Sequence, residues 1–395
     1  MKKLSQCALS VQGSTTLAID AIFKNMCDKG EDVIGFAAGE PDFNTPAHIK
    51  QVGQQAIEDN FTRYTPTAGI LPLREAVCKR LKEDCGISYK PSQIIAASGA
   101  KSALYAALRV IANPGDEIII PAPYWVSYYE LIQIVGAIPI IVETTEETGF
   151  KMTAEVFKAA VTSKTKALIL NNPSNPTGAV YTEQELKVLA EVCVEQDLYV
   201  VADEIYYHLV YDNASFTSFA SLGEEVKERT ILINGVSKSY AMTGWRLGYA
   251  AASEQIIKLM TNYLSHAASA PSSISQKAAA EALAGTQVPI ETMRQAFESR
   301  RNFFVERLNQ IEGVSCLKPE GAFYIMMNCS ALFGRQLHGK LIETVDDFAE
   351  VFLRIGKVAV IPCTGFGAPD FVRWSYATGL DNICEGLRRL EAFLK

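Results

Sequence analysis

Between residues 93 and 234, short and almost continuous apolar runs alternate with longer helical stretches. The runs occupy 93–97, 117–120, 137–142, 166–170, 198–202 and 230–234, and helical patterns cover 101–111, 124–135 and 183–195. A strand that is apolar along its whole length must be covered on both faces. Strand–helix alternation supplies that cover by packing crossover helices on either side of a mostly parallel sheet. The sequence therefore predicts an α/β fold, with a large domain over residues 46–285. Such a sheet presents its chemistry at the carboxyl ends of the strands.

Beyond residue 285 the pattern changes. A long helical stretch near 287–311 is followed by short strands around 322–328, 357–361 and 371–375, then a closing helix. This predicts a smaller α+β domain over 286–395. Residues 1–45 are expected to join it, because Gly39-Glu40-Pro41-Asp42-Phe43 makes a turn just before the large domain begins. A chain of 395 residues has room for both cores. There are no internal repeats and no long linkers.

Charge and cysteine usage narrow the function. The net charge of −7 is mild and spread out, with no basic block or stripe, so nucleic acid is not an expected partner. The nine cysteines show no CxxC pair. Cys193 and Cys363 sit in apolar runs as small core residues, which suits a reducing cytoplasm, and no metal is expected. Met1-Lys2-Lys3 looks like the start of a secretion signal, but Ser5, Gln6, Ser10 and Gln12 interrupt any apolar segment. No run of about 18 apolar residues exists, so no membrane association is expected.

Four strand ends carry unusual residues. The strand 230–234 leads into Ser237-Lys238-Ser239, with Arg246 eight residues beyond the lysine. A lysine withdrawn from water is costly unless it is used, and a neutral lysine can form a Schiff base with a carbonyl. Taken alone, Lys238 could equally be a solvent-facing loop lysine. The strand 198–202 runs into Asp203-Glu204-Ile205-Tyr206, where Asp203 is either a desolvated carboxylate needing a cation or a helix cap. The strand 166–170 ends in Asn171-Asn172-Pro173-Ser174-Asn175-Pro176-Thr177-Gly178, and the two prolines hold Asn175 in a rigid turn. The strand 93–97 ends in Ser98-Gly99-Ala100-Lys101, small residues whose backbone N–H groups at a helix start can approach an anion. One compound satisfies all four ends. It has an aldehyde for Lys238, a protonated ring nitrogen for Asp203, and a hydroxyl for Asn175 and Tyr206. Its phosphate suits the Gly99–Ala100–Lys101 turn, Ser237 and Arg246. That compound is pyridoxal 5′-phosphate.

With these motifs the chain resembles the class I, fold-type-I aminotransferases, close to the bacterial aspartate aminotransferase branch. The likeness runs from Gly39-Glu40-Pro41-Asp42-Phe43 to Arg373-Trp374-Ser375-Tyr376-Ala377 and includes Asn-Pro-Thr-Gly, Asp-Glu-Ile-Tyr and Ser-Lys-Ser. The resemblance implies that Lys238 holds the cofactor as a Schiff base and moves the α-proton. Asp203 would pair with the ring nitrogen, Asn175 and Tyr206 with the ring hydroxyl, and Trp125 would stack on the ring. It further implies that Arg373 forks onto the substrate α-carboxylate, a planar task suited to arginine, and that Gly39 lines the entrance. Tyr64 matches a tyrosine that reaches the phosphate of the neighbouring subunit, which implies a homodimer with shared active sites. The expected reaction is ping-pong transamination between L-aspartate or glutamate and 2-oxoglutarate or oxaloacetate.

Substrate choice turns on Lys101. A surface lysine at a helix start is the plain reading. The sharper one is a side chain that turns inward and meets the distal carboxylate of aspartate or glutamate. Competing expectations are an aminotransferase for aromatic or other amino acids, a carbon–sulfur β-lyase on the same scaffold, and a non-catalytic sensor module. The intact Lys238 and Arg373 argue against the sensor. Relatives that accept prephenate resemble one another in a lysine near position 12, where this chain has Gln12.

Overall fold

The computed structural model describes residues 2–11, 13 and 15–395, with residues 6, 7, 15–18 and 20 by backbone only. Gln12 lies outside the described residues. In chain order the strands are β1 (Ile34–Gly35), β2 (Ile94–Ala97), β3 (Glu117–Ala122), β4 (Ile138–Glu143), β5 (Thr165–Asn171), β6 (Tyr199–Asp203), β7 (Thr230–Gly235) and β8 (Gly248–Ala251). They continue with β9 (Ser315–Cys316), β10 (Tyr324–Asn328), the hairpin β11 (Gln336–Leu337) and β12 (Lys340–Leu341), β13 (Val358–Ala359), β14 (Ile361–Pro362) and β15 (Phe371–Ser375).

The main sheet has seven strands in the order β2-β8-β7-β6-β5-β3-β4. All are parallel except β8, which runs antiparallel to both of its neighbours. Successive residues of a strand point to opposite faces, and both faces are covered. Ile95, Ile118, Ile120, Ile169, Val201 and Ile233 pack on Leu104, Leu108, Ile257 and Met260 of the helices Ala100–Ile111 and Glu254–Ala267. The alternate residues Ile94, Ala96, Leu232 and Tyr249 meet Leu73, Val77 and Ala279, while Leu168, Val200 and Ala202 meet Leu186 and Leu189. Burying each large aliphatic side chain contributes about 1.5–3 kcal/mol, so this two-sided cover accounts for the apolar runs. β4 closes one edge. It keeps Ile138 and Ile141 exposed, and Pro139 interrupts its pairing capacity, as suits an edge strand.

A second sheet, antiparallel and four-stranded in the order β14-β15-β10-β9, brings Arg373 of the central strand β15 opposite both Met326 and Ile361. An aromatic cluster of Phe297, Phe304, Phe323, Trp374 and Tyr376 packs against it. β1 pairs in parallel with β13, Ile34 opposite Val358, which ties the N-terminal segment to this end of the molecule.

Two elements depart from expectation. The helix expected over 124–135 begins only at Ser127, because Pro123, Tyr124 and Trp125 form the turn out of β3. The four residues of β8, Gly-Tyr-Ala-Ala, contain no β-branched side chain and follow a turn, so nothing local marked them as a strand. Long-range pairing overrides their weak propensity.

Candidate active site

Because β2, β3, β5, β6 and β7 are parallel, their carboxyl ends lie along one edge of the sheet. β8 starts from that same edge, with Gly248 opposite Ala97 on one side and Gly235 on the other. The residues just before β8 therefore land among the carboxyl ends of the others. At Gly99 (φ 91°) an added Cβ would stand 2.3 Å from Arg246 Nη2, so only glycine leaves space for that guanidinium. At Gly248 an added Cβ would stand 2.2 Å from the Ala100 nitrogen, which lets β8 pass directly against the start of the helix Ala100–Ile111.

Asp203 ends β6 and is 5% exposed. Its Oδ2 accepts a hydrogen bond from Tyr128 Oη at 2.7 Å, and its Oδ1 accepts from the Ile205 amide at 3.3 Å. No salt bridge reaches it among the described residues. Burial raises its carboxyl to about 6, partly offset by these donors and by Lys238. The neighbouring strand end is tied to it. Asn171 Nδ2 donates to the Asp203 carbonyl at 2.9 Å, and Asn171 Oδ1 accepts from the Asn175 amide at 2.7 Å.

Lys238 is partly buried, and its Nζ donates to the carbonyl of Gly39. Burial lowers its ammonium to about 8, with Glu40 opposing and Arg373 and Arg246 assisting the shift. Arg373 is 2% exposed. It donates from Nη1 to Asn175 Oδ1 and from Nη2 to the Ala37 carbonyl, both at 3.0 Å, and its Nε has no partner among the described residues. Its guanidinium carbon lies 4.4 Å from the ring centre of Tyr324 and 5.2 Å from that of Phe366. Tyr324 Oη is 2.9 Å from Tyr206 Oη.

Around the Gly99 turn, no side chain among the described residues caps the helix Ala100–Ile111, so the Ala100 and Lys101 N–H groups are left for an outside acceptor at its positive end, while Ser102 and Ala103 donate to the Gly99 carbonyl. Arg246 reaches the same turn, donating to the carbonyls of Thr243 at 3.0 Å and Ser98 at 3.5 Å. Ser237 is buried at the end of β7. The ammonium of Lys101 lies 4.7 Å from the centre of the Trp125 indole. Lys101, itself exposed, thus lies over the Trp125 ring, and Tyr64 is 100% exposed in the single chain.

Pyridoxal phosphate fits these residues on three observations. Asp203 is a buried carboxylate with neutral hydrogen-bond donors and no ion-pair partner, as a protonated ring nitrogen requires. Gly99 and the uncapped helix start form an anion cradle beside Arg246. Lys238 carries an amine eased toward its neutral form.

Three residues of the site escaped the sequence reading. Tyr128 lies among Tyr124, Trp125 and Tyr129, and nothing in the sequence singles out the tyrosine that reaches Asp203. Tyr324 reads as one more strand aromatic. Asn171 was visible as the first asparagine of its turn, but only the paired strands reveal that it holds Asp203 and Asn175 together.

The family described as "Aminotransferase class I and II" matches residues 31–390. The chain is 48% identical over 393 residues to an aspartate aminotransferase of Bacillus subtilis (strain 168), covering 100% of this chain and 99% of the relative. Among solved structures it is similar to the aspartate aminotransferase of Rhizobium meliloti, with a TM-score of 0.96, 39% identity, and 100% and 99% of the two chains covered. It is also similar to the Thermus thermophilus aspartate aminotransferase determined with maleate, with a TM-score of 0.94, 38% identity and 100% of both chains covered.

Proposed function

The chain belongs to the class I and II aminotransferase family, and from that premise we propose that it exchanges amino groups between L-aspartate or glutamate and 2-oxoglutarate or oxaloacetate, with Lys238 as its catalytic lysine. It is an aminotransferase that depends on pyridoxal phosphate. The observation that carries the site assignment is a buried carboxylate without an ion-pair partner, Asp203 at the end of β6, beside the eased lysine Lys238 in the turn just beyond the neighbouring strand β7.

When bound, the cofactor supplies the carbonyl that takes up the amino group and the ring that receives the electron pair left at the α-carbon. Lys238 Nζ would take the proton from the substrate α-carbon and pass it to the cofactor's carbonyl carbon within the same half-reaction, and would move a proton the other way in the opposite half-reaction. Asp203 holds a proton on the ring nitrogen, oriented by Tyr128 Oη. Arg373 grips the α-carboxylate with a guanidinium already fixed by Asn175 and Ala37. Asn175, its Oδ1 engaged by Arg373, keeps its amide N–H groups for the ring hydroxyl, which Tyr206 also faces. The Ala100 and Lys101 amides, Ser237 and Arg246 hold the phosphate, Trp125 stacks on the ring, and Gly39 borders the substrate.

The preference for a dicarboxylate rests on Lys101, whose ammonium sits over Trp125. Arg373 and Lys101 would then bind the two ends of aspartate. The Thermus structure with maleate, itself a four-carbon dicarboxylate, supports that reading. Loss of one charge-assisted contact costs about 1.5–3 kcal/mol, or roughly ten- to a hundredfold. Lys101→Ser should lower kcat/KM for aspartate by that factor and leave alanine and phenylalanine nearly unchanged, measured with a panel of donors against 2-oxoglutarate. If all donors fall together, Lys101 serves the phosphate or the fold.

The homodimer rests on Tyr64. A fully exposed tyrosine in a turn has a use if it enters a second copy's phosphate pocket. Mixing Tyr64→Ala and Lys238→Ala proteins should then regenerate activity, because one hybrid site draws its lysine from the Tyr64→Ala chain and its tyrosine from the Lys238→Ala chain. No recovery after verified subunit exchange would remove the shared-site reading. The division into a large unit (46–285) and a small one (1–45 with 286–395) is likewise proposed, supported by the β1–β13 pairing. So is a cytoplasmic setting, supported by the free cysteines. No helix among the described residues is long and apolar enough to cross a membrane.

A further inference from the structure

Tyr324, at the start of β10 and 1% exposed, meets three groups of the site at once. Its hydroxyl lies 2.9 Å from that of Tyr206. Its ring supports one face of the Arg373 guanidinium at 4.4 Å, and Phe366 lies 5.2 Å from the same carbon. The same hydroxyl comes within 3.1 Å of where a Cβ on residue 39 would stand, beside the carbonyl that receives Lys238. A phenol has one proton to give. If Tyr206 spends its proton on the cofactor's ring oxygen, the pair at 2.9 Å can only be Tyr324 donating to Tyr206.

We propose that Tyr324 is a positioning residue with two separable parts. Its hydroxyl donates to Tyr206 and so turns the Tyr206 proton toward the cofactor, and its ring holds the Arg373 plane ready for the substrate carboxylate. This rests on the roles given above to Tyr206 and Arg373. Hydrogen bonds in a chain polarise one another, so a Tyr206 that accepts from Tyr324 is the stronger donor. A strong donor to the cofactor's ring oxygen draws charge from that oxygen and weakens its hold on the proton shared with Lys238. Removing the Tyr324 hydroxyl should therefore raise the pH midpoint of the bound cofactor's visible absorption.

The test uses the holoenzyme and three variants. Tyr324→Phe keeps the ring and should raise the absorption midpoint by about half to one pH unit, the size of one net hydrogen bond, with KM for aspartate within about twofold. Tyr324→Leu should show the same shift and raise KM roughly tenfold, as the cation–π contact with a desolvated arginine is lost. Phe366→Leu, working from beside the same guanidinium, should raise KM without moving the midpoint, and serves should Tyr324→Leu fail to fold. A Tyr324→Phe protein with an unmoved midpoint overturns the hydroxyl role. KM unchanged in both leucine variants overturns the ring role. Tyr206→Phe separates the failures. If it shifts the midpoint while Tyr324→Phe does not, this proposal alone is wrong. If it also leaves the midpoint unmoved, the role of Tyr206 fails and the proposal falls with it.

Discussion

A Lys238→Ala protein should still bind pyridoxal phosphate but transaminate about 10²–10⁴-fold more slowly. The expectation follows from the division of labour at the strand ends. The phosphate cradle at Gly99, the carboxylate of Asp203 and the Trp125 face all remain, so the cofactor stays. What is lost is the amine at Gly39 to which the proposed α-proton transfer is assigned, and positioned general acid–base catalysis is worth about 10²–10⁴-fold on its own. Single-turnover absorbance with aspartate measures the loss. Borohydride treatment of the unaltered holoenzyme should fix the cofactor to the peptide containing Lys238, and labelling of a different lysine would sink the assignment. Since burial brings this amine to about 8, capture of added cofactor by the apoprotein should accelerate as pH rises through that value, well below the ordinary lysine range.

Asp203→Asn is expected to have the second largest effect. Asparagine keeps the shape, and its single carbonyl oxygen can still accept from either the Tyr128 hydroxyl or the Ile205 amide, so the turn after β6 should survive with one of its two bonds. The charge is what disappears. A carboxylate and a ring cation about 4 Å apart at an effective dielectric near 20 attract by about 4 kcal/mol, which corresponds to roughly 10³-fold in rate if it is felt in the transition state. The cofactor's dissociation constant should rise by less, because phosphate and stacking contacts persist. A variant within about tenfold of the parent, roughly 1.4 kcal/mol, would reduce Asp203 to a turn-capping residue.

The parts of this site that local sequence could declare are those whose chemistry is costly anywhere else. A lysine between two serines after an apolar strand, an aspartate ending another, and an asparagine between two prolines each need a reason to exist, and together they narrow the reasons to one. The strand order was legible at the level of class, because apolar runs without alternation demand cover on both faces. Tyr128, Tyr324 and Asn171 were not legible. Tyrosine in an apolar stretch packs well for its ring alone, and the hydroxyl acquires a purpose only when the partner strand is known. The register placing Tyr324 beside Ser375 and Met326 opposite Arg373 is set by pairing across about fifty residues of chain. Local pattern holds no record of it.

The reversed strand β8 also sets the order in which a growing chain can become competent. In the sheet, β2 has β8 as its sole neighbour, so residues 94–97 stay unpaired until residues 248–251 exist. Closing so long a loop is entropically slow. During synthesis the anion cradle at Gly99 therefore waits, without its arginine and without its adjoining strand, until more than half of the polypeptide has left the ribosome. From its own completion until β8 follows it, β7 is a bare edge, open to association with other unfinished chains. Arrival of β8 closes that edge and delivers Arg246 in one event, so the end of the aggregation hazard and the start of cofactor retention coincide in the life of each molecule.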